Sequence, residues 1–237
     1  MKEARGGATR PGRVTDQFGT GPLARVCALV YTLLVTEFGF LVATAPGLVA
    51  LLLLGRDASN LPLDALCLMP AGPALSAALY ALQHRRLDLA DLHPAAAFVR
   101  GYRLNAVAAL KVWTPWLAVV TMAAMTLAHR RTAGVSESWL VVLVVIAVIA
   151  TLWVTNALVI TSLFAFRAVD VARLAAYFLG RTPKVALGNA GLLIAAALLT
   201  AAATEAAPVL LASTFGLLLL GNCRAMIEAV RKDFTAN

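Results

Sequence analysis

The stretch Trp139–Phe166 reads WLVVLVVIAVIATLWVTNALVITSLFAF and contains no charged residue. A helix needs about 20 predominantly apolar residues to cross the roughly 30 Å of hydrocarbon in a bilayer. This stretch is longer than that, and apolar side chains occupy all of its faces, so it has no polar face for water. It therefore predicts a transmembrane helix.

The composition of the whole chain agrees with this prediction. Of the 237 residues, 61% are hydrophobic and 14% are charged, and the mean hydropathy is +0.83. Soluble domains are about half apolar and about one quarter charged, and disordered chains contain few apolar residues and much charge. A soluble globular fold and a disordered chain are therefore excluded, and a multi-pass membrane protein remains.

The predicted fold is all-α: a polytopic membrane helix bundle with about six transmembrane helices. Residues 1–22 are expected to form a basic, disordered cytoplasmic tail, residues 23–224 the membrane domain, and residues 225–237 a cytoplasmic helix extension. The predicted spans are Leu23–Ala45, Leu61–Leu82, Leu104–Ala128, Trp139–Phe166, Val185–Ala203 and Pro208–Leu220, the last completed by residues 221–224.

The first apolar stretch continues beyond Ala45 to Leu54, which is too long for one straight, untilted helix. Pro46 and Gly47 predict a break there, because Pro lacks a backbone donor and clashes with the preceding turn. Residues Leu48–Leu54 would then form either an outward extension of the first span or a re-entrant segment.

The distribution of positive charge predicts the topology. Most of the 20 Lys and Arg residues lie in the N-terminal tail, in the connections 83–103 and 167–184, and at the C-terminus, whereas the alternate connections carry only Arg56, Arg130 and Arg131. Cytoplasmic loops carry an excess of Lys and Arg. Both termini are therefore expected in the cytoplasm.

Two short amphipathic helices are predicted in the basic connections, at Asp91–Leu104 and Val169–Leu179. Asp91 would cap the first, and Phe98 and Tyr102 would share one of its faces. Each connection re-enters the membrane near an Asn, at Asn105 and Asn189, which suggests an internal repeat.

A sequence resemblance rests on LPLDALCLMPAGPALSAALYAL in the second span and FVRGYRLNAVAALKVW at the third. These segments resemble the YesL-like family of bacterial multi-pass membrane proteins. The residues that match its motifs, and to which we assign a structural role, are Gly72, Pro73, Ala74, Tyr80, Phe98, Tyr102, Arg103 and Asn105. The polar insert 55–60 departs from the usual pattern.

The resemblance implies a six-span bundle without an assigned activity. Genes of that family commonly lie beside carbohydrate uptake transporters of the ABC type, so it implies an accessory subunit that contacts ABC transporter permease subunits. This accessory role is the first functional hypothesis.

Glu37 is the main candidate for a functional residue, because it lies near the middle of the first span, where an ionisable group is costly. It would bind a proton, a cation or a substrate, or it would be a hydrogen-bonded structural residue of the interior. Asn156 lies beside a stripe that contains Thr151 and Thr155 in the fourth span, and these side chains would bond across helices or line a polar pathway. A pair between Glu37 and Lys111 is disfavoured, because the two lie at different depths.

Other intramembrane features favour packing. Gly72-Pro73 is expected to kink the second span, and Trp113 and Trp116 would pack in the third span or line a pocket. The alternative functional hypothesis is a small secondary transporter or channel that uses Glu37 and this kink.

No enzyme activity, cofactor or metal is predicted. Hydrolase, zinc-protease, P-loop and dinucleotide motifs do not occur, and the three Cys residues have no metal-ligand spacing. Nucleic-acid binding is disfavoured because the basic residues form no stripe. The expected surroundings are the lipid bilayer of the bacterial cytoplasmic membrane, with ABC permease subunits or further copies of the chain as partners.

Overall fold

The computed structural model describes residues 21–55, 57–85, 92–130, 136–204 and 206–234. Within these ranges the regular elements are ten α-helices and one short 3-10 helix at Ala58–Asn60, just before α2. The helices are α1 (Pro22–Leu53), α2 (Leu61–Cys67), α3 (Ala71–Gln83), α4 (Pro94–Ala128), α5 (Glu137–Leu163), α6 (Ala168–Arg181), α7 (Pro183–Ala202), α8 (Ala206–Val209), α9 (Ala212–Asn222) and α10 (Arg224–Phe234).

The predicted all-α membrane bundle is confirmed. Four helices in the described residues are long and apolar enough to cross a membrane, namely α1, α4, α5 and α7, and the bent pair α2–α3 makes a fifth. The predicted sixth span contains α9, which has 11 residues and a length of about 17 Å. This helix alone is too short to cross the hydrocarbon layer. Whether the chain has a sixth span therefore depends on the segments that flank α9.

The prediction of a break at Pro46 is wrong, because α1 runs without interruption from Pro22 to Leu53. A membrane helix tolerates Pro where its neighbours compensate for the lost backbone bond. Gly47 serves packing instead: a Cβ there would overlap the carbonyl oxygen of Cys67, at the end of α2. Residues 48–53 therefore extend the first span.

The prediction of a separate amphipathic helix at Asp91–Leu104 is also wrong. Residues 94–128 form one helix of 35 residues, because nothing near Leu104 breaks the helical repeat and the buried positions Phe98, Gly101 and Ala109 continue on one face. The predicted cap Asp91 lies outside the described residues. The suggested repeat is weakened, because the second connection does contain a separate helix, α6.

The second span bends earlier than predicted. Its two helices meet at 41°, and the turn covers residues 68–70 rather than Gly72-Pro73. Pro73 lies in the first turn of α3, where its missing N–H costs no helical bond. The kink therefore precedes the Gly-Pro pair by about one turn.

The core of the bundle is built around α3, in which nine of the 13 residues are buried. One buried cluster joins α3 to α4, α5, α6, α9 and α10, and a second joins α3 to α1, α4 and the start of α9. The predicted amphipathic face of α6 is confirmed, because Val171, Leu174 and Phe178 are buried. Phe178 also makes an edge-to-face contact with Phe234 of α10.

Basic residues lie at one end of this bundle. The chain order places the starts of α1, α4 and α7 and the ends of α3, α5 and α9 at the same end, which we call the basic end. In the described residues it carries Arg25, Arg85, Arg100, Arg103, Arg167, Arg173, Arg181, Lys184, Arg224, Arg231 and Lys232, whereas the described part of the opposite end carries Arg130.

Candidate intramembrane site

Glu37 lies at the midpoint of α1 and binds a helix end. Its Oε2 accepts a hydrogen bond of 2.7 Å from the backbone N–H of Ser213, in the first turn of α9. The first N–H groups of a helix have no intrahelical acceptor, and the helix dipole favours negative charge there. Glu37 therefore supplies from α1 the cap that Leu211, at the N-cap position of α9, does not provide.

The second oxygen of this carboxylate has no partner. Glu37 Oε1 is buried without a hydrogen bond, and so is the hydroxyl of the neighbouring Thr36. A buried polar atom without a partner costs about 1–3 kcal/mol, and such atoms often mark a functional position. Lys111, whose pairing with Glu37 the sequence disfavours, has an exposed side chain on α4.

The break in the second span is stabilised in a different way. The indole N–H of Trp113 in α4 donates a 3.0 Å hydrogen bond to the carbonyl oxygen of Leu68, at the C-cap of α2. The ring lies against Gly72, where a Cβ would overlap it. Trp113 thus holds a carbonyl at the bend, and Gly72 leaves the room for its ring.

The two breaks lie at similar depths. Helices α3 and α9 both run from a break to the basic end, with 13 and 11 residues, which corresponds to about 20 Å and about 17 Å. Both breaks therefore lie at about the same distance from the basic end, inside a layer about 30 Å thick. Glu37 caps the second of them.

A cavity of about 340 Å³ lies between these elements. Leu75 and Ala78 of α3 line it, and Pro208, Val209 and Ala212 line it at the break before α9. The lining is mostly apolar, and Phe40, one turn from Glu37, also contributes. The polar lining residues, together with the two indole rings, are Thr151, Thr155, Asn189, Trp113 and Trp116.

Hydrogen bonds fix most of the polar lining. The indole N–H of Trp116 donates to the Thr151 hydroxyl at 3.1 Å, and the Thr155 hydroxyl donates to the Thr151 carbonyl at 2.7 Å. These two Thr side chains were predicted to lie on one stripe of the fourth span. Their contacts are mainly structural, and they leave little free polarity toward the cavity.

Asn156 belongs to a buried amide cluster at one side of this cavity. Its Oδ1 accepts a 3.0 Å bond from Asn189 Nδ2, and Asn189 Oδ1 accepts a 2.8 Å bond from Asn222 Nδ2. Asn222 also donates to the carbonyl of Val185, whereas Asn156 Nδ2 has no hydrogen-bond partner. The cluster ties α5, α7 and the end of α9 together.

Sequence reasoning missed two partners in this region. The sequence pattern places Asn222 at the end of the last predicted span and does not single out Ser213. An amide in an apolar segment is a usable signal, because it needs a partner in the membrane. The backbone N–H of Ser213 offers no such signal, since every residue except Pro carries one.

The family-motif residues lie mainly in the contact between α3 and α4. Ala74 is buried in α3, and the Tyr80 ring lies against Gly101, where a Cβ would come within 2.8 Å of it. Phe98 lies against Gly39 of α1. Tyr102 packs against the buried cluster that joins α3 to α1, α4 and the start of α9.

The two polar residues of that motif lie apart from the cavity. Asn105 donates a 3.2 Å bond to the carbonyl of Ser162, near the end of α5, and Arg103 is exposed. The structure thus brings most of the motif together as packing, separate from Glu37 and Asn156.

An apolar cavity of this kind can hold an apolar molecule. The described residues contain no group of three metal-ligating side chains. No family model, curated protein or solved structure matches this chain. The resemblance to the YesL-like family therefore stays a prediction. The fold defines the class: a multi-pass α-helical membrane protein with one bent span and a mostly apolar cavity.

Proposed function

We propose that the protein is a small transporter that binds a small, largely apolar molecule in the central cavity. The observation that carries this proposal is that α3, which is half of the bent second span, and the residues on both sides of the break before α9 line the same cavity. Transporters commonly form their sites from discontinuous helices near the midplane. A purely structural bundle needs neither the breaks nor the cavity.

The lining chemistry supports the class of molecule. A cavity with aliphatic walls and two indole rings favours an apolar or aromatic molecule. The side chains of Asn189 and Thr155 are engaged in structural hydrogen bonds, so recognition would rest mainly on apolar contacts. The volume of about 340 Å³ fits a compact molecule rather than an oligosaccharide.

Glu37 would couple binding to movement. Its carboxylate holds the start of α9, and α9 forms part of the cavity wall through Ala212 and Gly216. Replacement by Gln would remove the charge from this bond to the helix end and weaken it. The start of α9 would then move and open the cavity.

The proposed setting is the bacterial cytoplasmic membrane with both termini in the cytoplasm. The concentration of Lys and Arg at the basic end supports this orientation by the positive-inside rule. We retain the prediction that the protein has no enzyme activity.

Cysteine accessibility tests transport without knowledge of the substrate. In a chain whose three native Cys residues are replaced by Ala, Thr155→Cys places a thiol on the cavity wall. Val159→Cys is the matched control, because Val159 lies one turn further along α5 with no exposed surface. A cationic methanethiosulfonate that does not cross membranes is applied to either side of sealed vesicles.

If the protein opens to each side in turn, Thr155→Cys should react from both sides and Val159→Cys from neither. Reaction from neither side, or from one side alone, would contradict the proposal. Adding Glu37→Gln should confine the reaction to one side, and unchanged two-sided reaction would remove Glu37 from the mechanism.

The second candidate is an accessory subunit for carbohydrate uptake by an ABC transporter. It is favoured by the surface at the basic end, where α6 and α10 dock on the bundle while Tyr177 and Phe234 stay half exposed. Crosslinking and mass spectrometry of the tagged protein in its native membrane separates the candidates. A stoichiometric permease partner supports the accessory role, and recovery alone or as a homo-oligomer supports transport.

A further inference from the structure

A second concave site lies at the basic end, away from the central cavity. It is a groove of about 460 Å³ between the ends of α3 and α9 and the start of α10. Arg85 lines it on the α3 side, and Arg224, Arg231 and Glu228 line it on the α10 side. Three guanidinium groups against one carboxylate make the rim of this groove cationic.

The wall of the groove changes from charged to apolar with depth. Leu220 and Leu217 line it below Arg224, and they precede Arg224 by about 6 Å and about 10 Å along α9. Ile227 closes it from α10. A molecule that fills the groove therefore needs an anionic end and an apolar continuation toward the membrane interior.

Arg85 is preorganised for such a ligand. It is half-buried, and its Nη1 donates a 2.7 Å hydrogen bond to the carbonyl of Leu82 at the end of α3. A guanidinium carries five N–H donors in a fixed plane, so Arg85 keeps this bond and still offers donors to a phosphate. Planar, bidentate contact with phosphate is the geometry for which Arg is preferred.

We propose that this groove binds the phosphate headgroup of an anionic phospholipid through Arg85 and Arg224, with an acyl chain along Leu220 and Leu217. The groove lies where apolar helices end, which is the depth of the headgroups in a bilayer. Basic pockets between transmembrane helices are known to take such headgroups. The lipid would tie α10 to α3 and so stabilise the docked position of the C-terminal helix.

Native mass spectrometry of the full-length protein in detergent tests this site with two probes. Phosphatidylglycerol and phosphatidylcholine with identical acyl chains are titrated separately, so that only the headgroup charge differs. Two Arg contacts correspond to roughly 30-fold in affinity. We expect about this preference for phosphatidylglycerol, and its loss in the double variant Arg85→Gln/Arg224→Gln.

Two controls keep the result interpretable. Arg103→Gln/Lys184→Gln removes the same charge from the basic end outside the groove and should keep the preference. Arg85→Lys/Arg224→Lys keeps the charge and should keep part of the preference for phosphatidylglycerol. The unfolding midpoint of each variant is measured, so that loss of lipid binding can be distinguished from loss of folding.

Three results would overturn the proposal. They are equal affinity for the two lipids, equal loss of preference in the Arg103/Lys184 control, and displacement of phosphatidylglycerol by millimolar inorganic phosphate. The last would make the groove a free-phosphate site. The cavity and its accessibility test do not depend on any of these outcomes.

Discussion

The two broken helices have similar depth but opposite chemistry. At the first break, a neutral indole N–H of Trp113 donates to a carbonyl at the end of α2. At the second, the carboxylate of Glu37 accepts from an N–H at the start of α9. A helix end in the membrane needs a partner from a neighbouring helix, and each polarity selects a different side chain.

This difference indicates which of the two breaks can change its conformation. The indole of Trp113 is confined by Gly72, and the Leu68 carbonyl also accepts from the N–H of Ala71 at 3.1 Å, so this break is rigid. The Glu37 bond is a single charge-assisted contact beside an unpartnered oxygen. Its strength depends on charge, which makes the second break the adjustable one.

The largest expected effect comes from filling the space beside Trp113. Gly72→Ala should destabilise the protein by about 3 kcal/mol, because the new Cβ overlaps the base of the ring rather than a flexible end. Unfolding in mixed detergent and SDS micelles measures it. Gly191→Ala is the control: nothing lies within 4 Å of its Cβ position, and helical Ala is favoured over Gly by up to about 1 kcal/mol. Equal unfolding midpoints for the two variants would show that Trp113 is not tightly packed against Gly72.

Removing the cap of α9 should have the next largest effect. Glu37→Ala leaves the Ser213 N–H without its acceptor, and we expect a loss of about 2 kcal/mol in the same unfolding assay. Glu37→Gln keeps an acceptor oxygen and should lose about half of that. Glu137→Ala removes an exposed carboxylate from the first turn of α5 and should lose at most about 0.5 kcal/mol. A Glu37→Ala midpoint equal to that of Glu137→Ala would show that the cap contributes nothing.

The other end of α9 gives a smaller test of the same idea. Asn222→Ala removes bonds to Asn189 and to the Val185 carbonyl, at about 0.6 kcal/mol each in membrane proteins, so we expect about 1 kcal/mol. If α9 moves as a unit, its effect and that of Glu37→Ala should not add in a double-mutant cycle. Strict additivity would mean that the two ends of α9 act independently.

The smallest effect is expected for the indole N–H itself. Trp113→Phe keeps most of the ring and removes the donor to Leu68, whose carbonyl retains the bond from Ala71. We expect a loss of about 0.5 kcal/mol, again from the unfolding midpoint. Trp139→Phe is the control, because Trp139 is 62% exposed. A loss for Trp113→Phe larger than for Glu37→Ala would reverse the ranking of the two breaks.

Most of the fold could be predicted from the sequence, and the errors share a cause. The apolar runs located α1, α4, α5 and α7, and the periodicity of 168–181 located α6 and its buried face. The errors at Pro46, Leu104 and Gly72-Pro73 all concern where a helix is interrupted. Interruption depends on whether a neighbour replaces the lost backbone bond, which a local pattern does not contain.

The candidate site was predicted in part. Glu37 and Asn156 could be singled out because a polar group in an apolar span is expensive. Their partners could not be identified, because Ser213 lies 176 positions from Glu37 and contributes a backbone group that every sequence position shares. The cavity was equally hidden, since it is the space left between seven helices.

The sequence by itself determined that this chain is an all-α membrane bundle, because burial of apolar surface in lipid depends on composition and length. It also determined the uneven distribution of positive charge between the two ends. Only the tertiary structure decided where the helices break, which atom Glu37 binds and that α3 and α9 line one cavity. Those features depend on distances between groups far apart in the chain, and packing alone sets these distances.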